Sequence, residues 1–125
     1  MTINGGMFMS GGSFSSMIQN GYWDYTSTDP AQGYVAGVNA EMPIMTINDG
    51  AFAGGLYAIK NDDNGILNIN GGTFITAQDK NFKVEGNPHI EISGGRFNRE
   101  LDPSYLAPGY KQVLINGFYT VQKEE

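Results

Sequence analysis

The chain contains no cysteine, which excludes disulfides and thiolate metal sites. It carries a single His and a single Trp. No Lys or Arg precedes Lys60, and the only charged side chains before it are Asp24, Asp29, Glu41 and Asp49. No apolar run approaches the ~20 residues of a membrane-spanning helix. The N-terminus shows neither the basic stretch nor the long apolar segment of a secretion signal. No helical periodicity extends beyond one turn. The net charge of −6 argues against nucleic acid as a partner.

What the chain has in abundance is glycine, 18 residues of it, in a recurring setting. Leu67 to Phe74 reads LNINGGTF, Ile90 to Phe97 reads IEISGGRF, Met45 to Phe52 reads MTINDGAF and Met1 to Phe8 reads MTINGGMF. A degenerate copy, VLINGFYT, occupies Val113 to Thr120. The anchor isoleucines Ile3, Ile47, Ile69, Ile92 and Ile115 are separated by 44, 22, 23 and 23 residues. The first step is twice the second, and Trp23-Asp24-Tyr25 supplies an apolar-polar-apolar triplet at its midpoint. A fixed period in this range predicts stacked repeats, each touching only its neighbours.

Within each repeat the apolar pattern has period 2, which predicts strands. Met1, Trp23, Met45, Leu67, Ile90 and Val113 form one inward column. Ile3, Tyr25, Ile47, Ile69, Ile92 and Ile115 form the second. Between them Thr2, Asp24, Thr46, Asn68, Glu91 and Leu114 face solvent. Asn4, Thr26, Asn48, Asn70, Ser93 and Asn116 follow, and stacked amides can bond from layer to layer. The pairs Gly5-Gly6, Gly71-Gly72 and Gly94-Gly95 predict a corner of positive φ. Phe8, Phe52, Phe74 and Phe97 predict an inward aromatic stack. The expectation is an all-β chain: a parallel β-helix (β-solenoid) of about six coils with a 22–23-residue period.

These GGxF repeats after an I-x-I strand resemble right-handed parallel β-helix proteins of the pectate-lyase-like superfamily. More narrowly they resemble the repeats of bacterial surface proteins and phage structural proteins. The segment Asp102 to Tyr110, followed by Gly117 to Val121, resembles the closing unit of such surface repeats. The resemblance covers most of the chain, least so residues 9 to 43. It implies a fold rather than an activity, because one fold hosts many functions.

At 125 residues the chain is read as a single domain. Residues 1–43 form irregular N-terminal coils, with Gly33 to Val38 as a candidate strand. Residues 44–97 form regular coils, in which Ala58-Ile59-Lys60 and Asn81-Phe82-Lys83 occupy equivalent places. Residues 98–125 form a closing unit.

Candidate chemistry is sparse. His89 has no partner in the sequence for a catalytic or metal role. Asp62 and Asp63, with Asp49 or Glu85, offer oxygens for Ca²⁺, yet a turn rich in Asp and Asn is the commoner explanation. Lys60 and Lys83 stack one coil apart, with Asp62 and Glu85 two residues on. That is the lattice of a solvated sheet face. A polysaccharide lyase or hydrolase would use such groups, but on longer loops. Tyr22 points outward beside the inward Trp23 and Tyr25. No catalytic residue, cofactor or metal site is therefore assigned.

The expected function is non-enzymatic. The leading reading is a structural or assembly protein at a virion surface, such as a capsid decoration or head-fibre protein. The chain starts at Met1 in the repeat register without an export signal, which favours that reading. The alternative is an adhesin or carbohydrate-binding repeat at a bacterial surface. The partners expected are copies of the chain itself, a trimer being preferred, or a larger particle such as a capsid. A glycan is a further candidate, and neither nucleic acid nor membrane is expected. An open strand edge pairs with other chains unless it is blocked. The first 23 residues carry no charged side chain. Met1, Ile3, Met7, Phe8, Met9, Phe14, Met17 and Tyr22 are accordingly assigned to an interface.

Overall fold

The computed structural model describes residues 1–11, 16–20, 43–54, 57–61, 65–77, 81–84 and 89–124. Among them the protein is all-β, with one short 3-10 turn at Pro103–Tyr105. The strands come in rotation. β1 (Thr2–Ile3), β2 (Met7–Met9) and β3 (Ser16–Asn20) form the first set. β4 (Ile44–Ile47), β5 (Ala51–Gly54) and β6 (Tyr57–Asn61) form the second, and β7 (Ile66–Ile69), β8 (Thr73–Thr76) and β9 (Phe82–Val84) the third. β10 (His89–Ile92) and β11 (Arg96–Phe97) follow, then β12 (Tyr110–Ile115) and β13 (Phe118–Lys123). Each position in the rotation feeds its own sheet. The strand orders are β1-β4-β7-β10, β12-β13-β11-β8-β5-β2 and β3-β6-β9.

The pairing between successive sets is parallel and keeps the sequence register. Met45 lies beside Leu67 and Leu67 beside Ile90, while Ile47, Ile69 and Ile92 align in the next column. All six side chains are buried. The residues between them, Thr46, Asn68 and Glu91, stay at least partly in solvent. This is the period-2 logic of a strand with one face in the core. In the third sheet Ile59 pairs with Phe82 and Lys60 with Lys83, as the 23-residue spacing predicts.

Two further columns tie the layers together. Phe8, Phe52, Phe74 and Phe97 stack with centroids 5.0, 4.8 and 4.8 Å apart and ring planes within 7° of parallel. Phe52, Phe74 and Phe97 are fully buried, each contributing about 1.5–3 kcal/mol by transfer from water. Outside the core the Asn48 amide donates to Asn4 Oδ1 (2.8 Å), Asn70 donates to Asn48 Oδ1 (2.8 Å) and the Ser93 hydroxyl donates to Asn70 Oδ1 (2.9 Å).

The two positions of each corner answer to different requirements. Gly6, Gly50, Gly72 and Gly95, the second of each pair, have φ between 97° and 129°, a region open mainly to glycine. At Gly71 and Gly94, the first of their pairs, the constraint is space. A Cβ there would lie 2.4 Å from the Asn48 carbonyl oxygen or 2.2 Å from that of Asn70.

Three expectations are corrected. First, the 44-residue step is one layer rather than two. β1 pairs directly with β4, Thr2 against Thr46 and Ile3 against Ile47. Trp23, Asp24, Tyr25, Thr26 and the candidate strand at Gly33 to Val38 lie outside the described residues. Second, Met1 does not join a buried column; it is 74% exposed. Third, Val113 to Ile115 is not a sixth layer. Asn116 and Gly117 both have positive φ, 51° and 84°, and turn the chain into an antiparallel hairpin of β12 on β13. Asn-Gly is the preferred pair for such a two-residue turn, and local pairing here takes precedence over a long-range parallel one. β13 then runs antiparallel to β11. Ile92 is followed in its column by Leu106, through a single parallel bridge.

Candidate functional site

The two ends of this arrangement differ. β1, β2 and β3 are each the terminal strand of a sheet, so one layer ends all three. On that layer Met7 and Met9 are 74% and 73% exposed. Ile3 and Phe8 are partly buried against the core, and Phe8 is the last ring of its stack among the described residues. In the Asn column each donor is aimed toward this end, which leaves the Asn4 amide nitrogen at the terminus of the ladder. Gly5 has no atom within 4 Å of the place a Cβ would take, and its φ is not in the left-handed region. Met1, Ile3, Met7, Phe8 and Met9 are therefore brought together at one edge. Phe14, Tyr22 and the Met17 side chain lie outside the described residues.

The opposite end is covered in part by side chain and backbone, on the first two sheets, while β9 ends the third among the described residues. β13 covers β11. The Ala107 N–H donates to the Ile92 carbonyl (2.9 Å). The Gln112 amide clamps the Leu101 backbone, accepting from its N–H (2.9 Å) and donating to its carbonyl (2.8 Å). Arg96 lies 5.5 Å over the Phe118 ring, a favourable cation–π placement. Asp102 caps the 3-10 turn by accepting from the Ser104 N–H (2.9 Å).

Beside that turn is a small cleft of about 120 Å³, lined by Asn81, Phe82, Glu100, Leu101, Asp102 and Tyr105. Asn81 is 2% exposed, and neither its amide nitrogen nor its amide oxygen has a hydrogen-bond partner. Its backbone carbonyl, by contrast, accepts from the N–H groups of both Ala58 (2.9 Å) and Ile59 (3.2 Å), so the residue is held firmly in place. Burial, with the Asp102 charge beside it, raises the Tyr105 phenol above its ordinary value of 10.0. That hydroxyl stays protonated and can donate. The residue equivalent to Asn81 one layer earlier is Ala58, fully buried. An Asn where the register places an Ala is the sequence signal that marks this cleft, and the repeat reading passed over it.

The remaining sequence candidates stay apart. His89 pairs with Glu91 on the surface, 3.5 Å between Nε2 and Oε2, where such contacts add little. Asp49 Oδ1 accepts from the Gly50 N–H (2.8 Å), a local turn contact. Asp62, Asp63 and Glu85, and the Lys83 side chain, lie outside the described residues. Among the described residues no group of three or more His, Asp or Glu is placed to hold a metal. No helix among them is long and apolar enough to cross a membrane.

Comparison of the chain with protein-family models, with curated proteins and with solved structures returns no match.

Proposed function

We propose that the chain is a short parallel β-solenoid acting as a non-enzymatic structural module, a virion surface component such as a capsid decoration or head-fibre protein. It assembles through its N-terminal end with copies of itself. The observation that carries this reading is the difference between the ends. Three strand edges, β1, β2 and β3, terminate in one layer that displays Met1, Met7 and Met9, while a hairpin on β11 and a bridge at Ile92 cover two of the three sheets at the other end. Open edges pair with other chains unless they are blocked, and methionine adapts readily to a partner surface. The resemblance of the GGxF repeats to phage structural proteins supports the setting, and the described chemistry gives no reason to assign a reaction.

The test is mass measured by light scattering. At about 10 µM, a concentration at which a micromolar interface is largely occupied, the parent chain elutes as a multiple of 13.5 kDa. The double variant Met7→Lys, Met9→Glu elutes at 13.5 kDa and melts like the parent diluted to a monomer, because both side chains project away from the core. A parent that stays monomeric refutes the assembly reading.

A further inference from the structure

Asn is followed by Gly at Asn4, Asn20, Asn64, Asn70 and Asn116. Such a step carries its own chemistry, because the Gly nitrogen has no side chain beside it and lies next to the Asn amide carbon. Asn64 lies outside the described residues. The structure places the other four in different surroundings.

Asn20 is 6% exposed, and its amide donates to Asn61 Oδ1 and to the Ile66 carbonyl, both at 2.9 Å. Asn70 is held at both ends of its amide. It donates to Asn48 Oδ1 (2.8 Å) and accepts from the Ser93 hydroxyl (2.9 Å). Its neighbour Gly71 packs on the Asn48 carbonyl with no room for a Cβ. Asn116 and Gly117 are fixed at positive φ in the turn that joins β12 to β13. Asn4 differs from all three. It is exposed, its Oδ1 accepts from Asn48 (2.8 Å), and its Nδ2 stands at the open end of the ladder. Gly5 is exposed as well, and the place of a Cβ on it has nothing within 4 Å.

We propose that Asn4-Gly5 is a self-modifying site, at which the Gly5 nitrogen attacks the Asn4 side-chain amide and residue 4 becomes an aspartate. Hydroxide removes the Gly5 N–H proton, and the nitrogen bonds to Asn4 Cγ. The Cγ–Nδ2 bond breaks, and ammonia leaves with a proton from water. Water then opens the five-membered imide. Cleavage between nitrogen and Cγ gives Asp. Cleavage between nitrogen and the backbone carbonyl gives isoaspartate, with one methylene added to the main chain. The hydrogen bond from Asn48 draws electrons from the carbonyl under attack. Ring closure rotates the Asn peptide out of its strand or turn conformation. The open side of Gly5 permits that rotation, and the packing of Gly71 does not. At Asn70 two ladder hydrogen bonds must also break, each about a fivefold factor in rate.

The effect on assembly rests on the N-terminal interface proposed above; the reaction itself does not. Either product places a carboxylate in a layer formed by residues 1–23, which carry no charged side chain. Two copies meeting there then set like charges together, and pairing in turn covers Gly5. Conversion therefore weakens assembly, and assembly slows conversion.

The experiment incubates the full chain at neutral pH at about 1 µM and about 100 µM, on either side of a ~10 µM interface. Mass spectrometry with electron-transfer fragmentation follows each Asn, reading the exchange of ammonia for water at that residue and separating isoaspartate from Asp. Asn4 is expected to convert at least about tenfold faster than Asn20, Asn70 and Asn116, and faster at the lower concentration. Gly5→Ala slows it at least about tenfold, because the new methyl shields the nitrogen. Asn4→Asp melts like the dilute parent and assembles more weakly. In the Met7→Lys, Met9→Glu variant Asn4 converts at one rate at both concentrations. The proposal is overturned if Asn4 stays intact, if any of the other three converts as fast, or if Gly5→Ala converts as the parent does. Conversion of the parent at one rate at both concentrations supports the site and counts against the N-terminal interface instead.

Discussion

Replacing one glycine at a time by alanine at positions 5, 71 and 94 separates the stacking geometry from simple glycine preference. At Gly94 the new Cβ would lie 2.2 Å from the Asn70 carbonyl oxygen and 2.9 Å from its carbon; at Gly71 it would lie 2.4 Å from the Asn48 oxygen. Optimal contact is about 3.5–4 Å, so the layers must part by roughly 1 Å. The neighbouring ladder bonds, Ser93 N–H to the Ile69 carbonyl and Asn70 N–H to the Ile47 carbonyl, are both 2.8 Å and would stretch together. Overpacking of this kind costs about 1–3 kcal/mol, and a weakened hydrogen bond adds up to about 1 kcal/mol. Restriction of the unfolded chain returns about 0.4–1 kcal/mol. The net is a destabilisation of about 1–3 kcal/mol at 71 and 94. Gly5 meets nothing within 4 Å and has no left-handed φ, so only the unfolded-state gain applies. Gly5→Ala should be neutral or stabilising by up to about 1 kcal/mol. Thermal and urea melts of the dilute monomer read these directly, at roughly 4–8 °C per kcal/mol. Equal losses at all three positions would refute the stacking argument. A Gly5→Ala variant that is stable as a monomer but loses assembly would instead show that a partner sits against that glycine.

Other perturbations probe separate parts of the protein. Ile69→Asp places a charge in the core without a partner and should leave the chain unfolded or insoluble, while Asn68→Asp on the solvent side should shift the melt by less than about 0.5 kcal/mol; similar tolerance of both would contradict the register. Phe74→Ala removes the middle ring of the stack and should cost about 3–5 kcal/mol in a urea titration. Tyr105 gives a pH signature. Its folded-state value lies above the unfolded 10.0, so its contribution is whole below that pH and is lost as pH rises through the folded value. Stability should therefore fall above pH 10.0, and Tyr105→Phe should reduce that alkaline slope.

The layers from 44 to 97 were legible because each residue type is fixed by a requirement that repeats. Ile47, Ile69 and Ile92 share one environment, as do Phe52, Phe74 and Phe97. The residues that broke the reading carry two signals at once. Ile115-Asn116-Gly117-Phe118 matches the repeat, and it also contains the Asn-Gly pair of a two-residue hairpin. Spacing alone could not choose between them, and the structure resolves it in favour of the hairpin. The 44-residue step had the same ambiguity, since a doubled period and a single long excursion give the same spacing between Ile3 and Ile47. β3 escaped notice because Ser16–Asn20 sits outside the GGxF frame, although Ile18 lies in register with Ile59. The small cleft beside Asn81 was not visible, because Glu100, Asp102 and Tyr105 reach it from a later segment.

The geometry of the ends also constrains how copies can assemble. A head-to-tail contact leaves an open edge on every added copy, so it propagates unless rotation closes it. Here the tail is already covered on two of its three sheets: β13 lies on β11 and Leu106 bridges Ile92. A second copy cannot present to β1 and β2 the continuous parallel edge that β4 and β5 present within the chain. The exposed layer can instead meet the same layer of another copy, with β1 against β1 and β2 against β2 across a two-fold axis. Such an interface is self-complementary and stops at two copies. A trimer, preferred from general spike architecture, needs a lateral contact in addition to the edge. Molecular mass distinguishes the two directly. Twice 13.5 kDa with loss on Met7→Lys supports edge-to-edge pairing. Three times that mass points to a contact on the sides of the stack, and a growing series of masses refutes the covered tail.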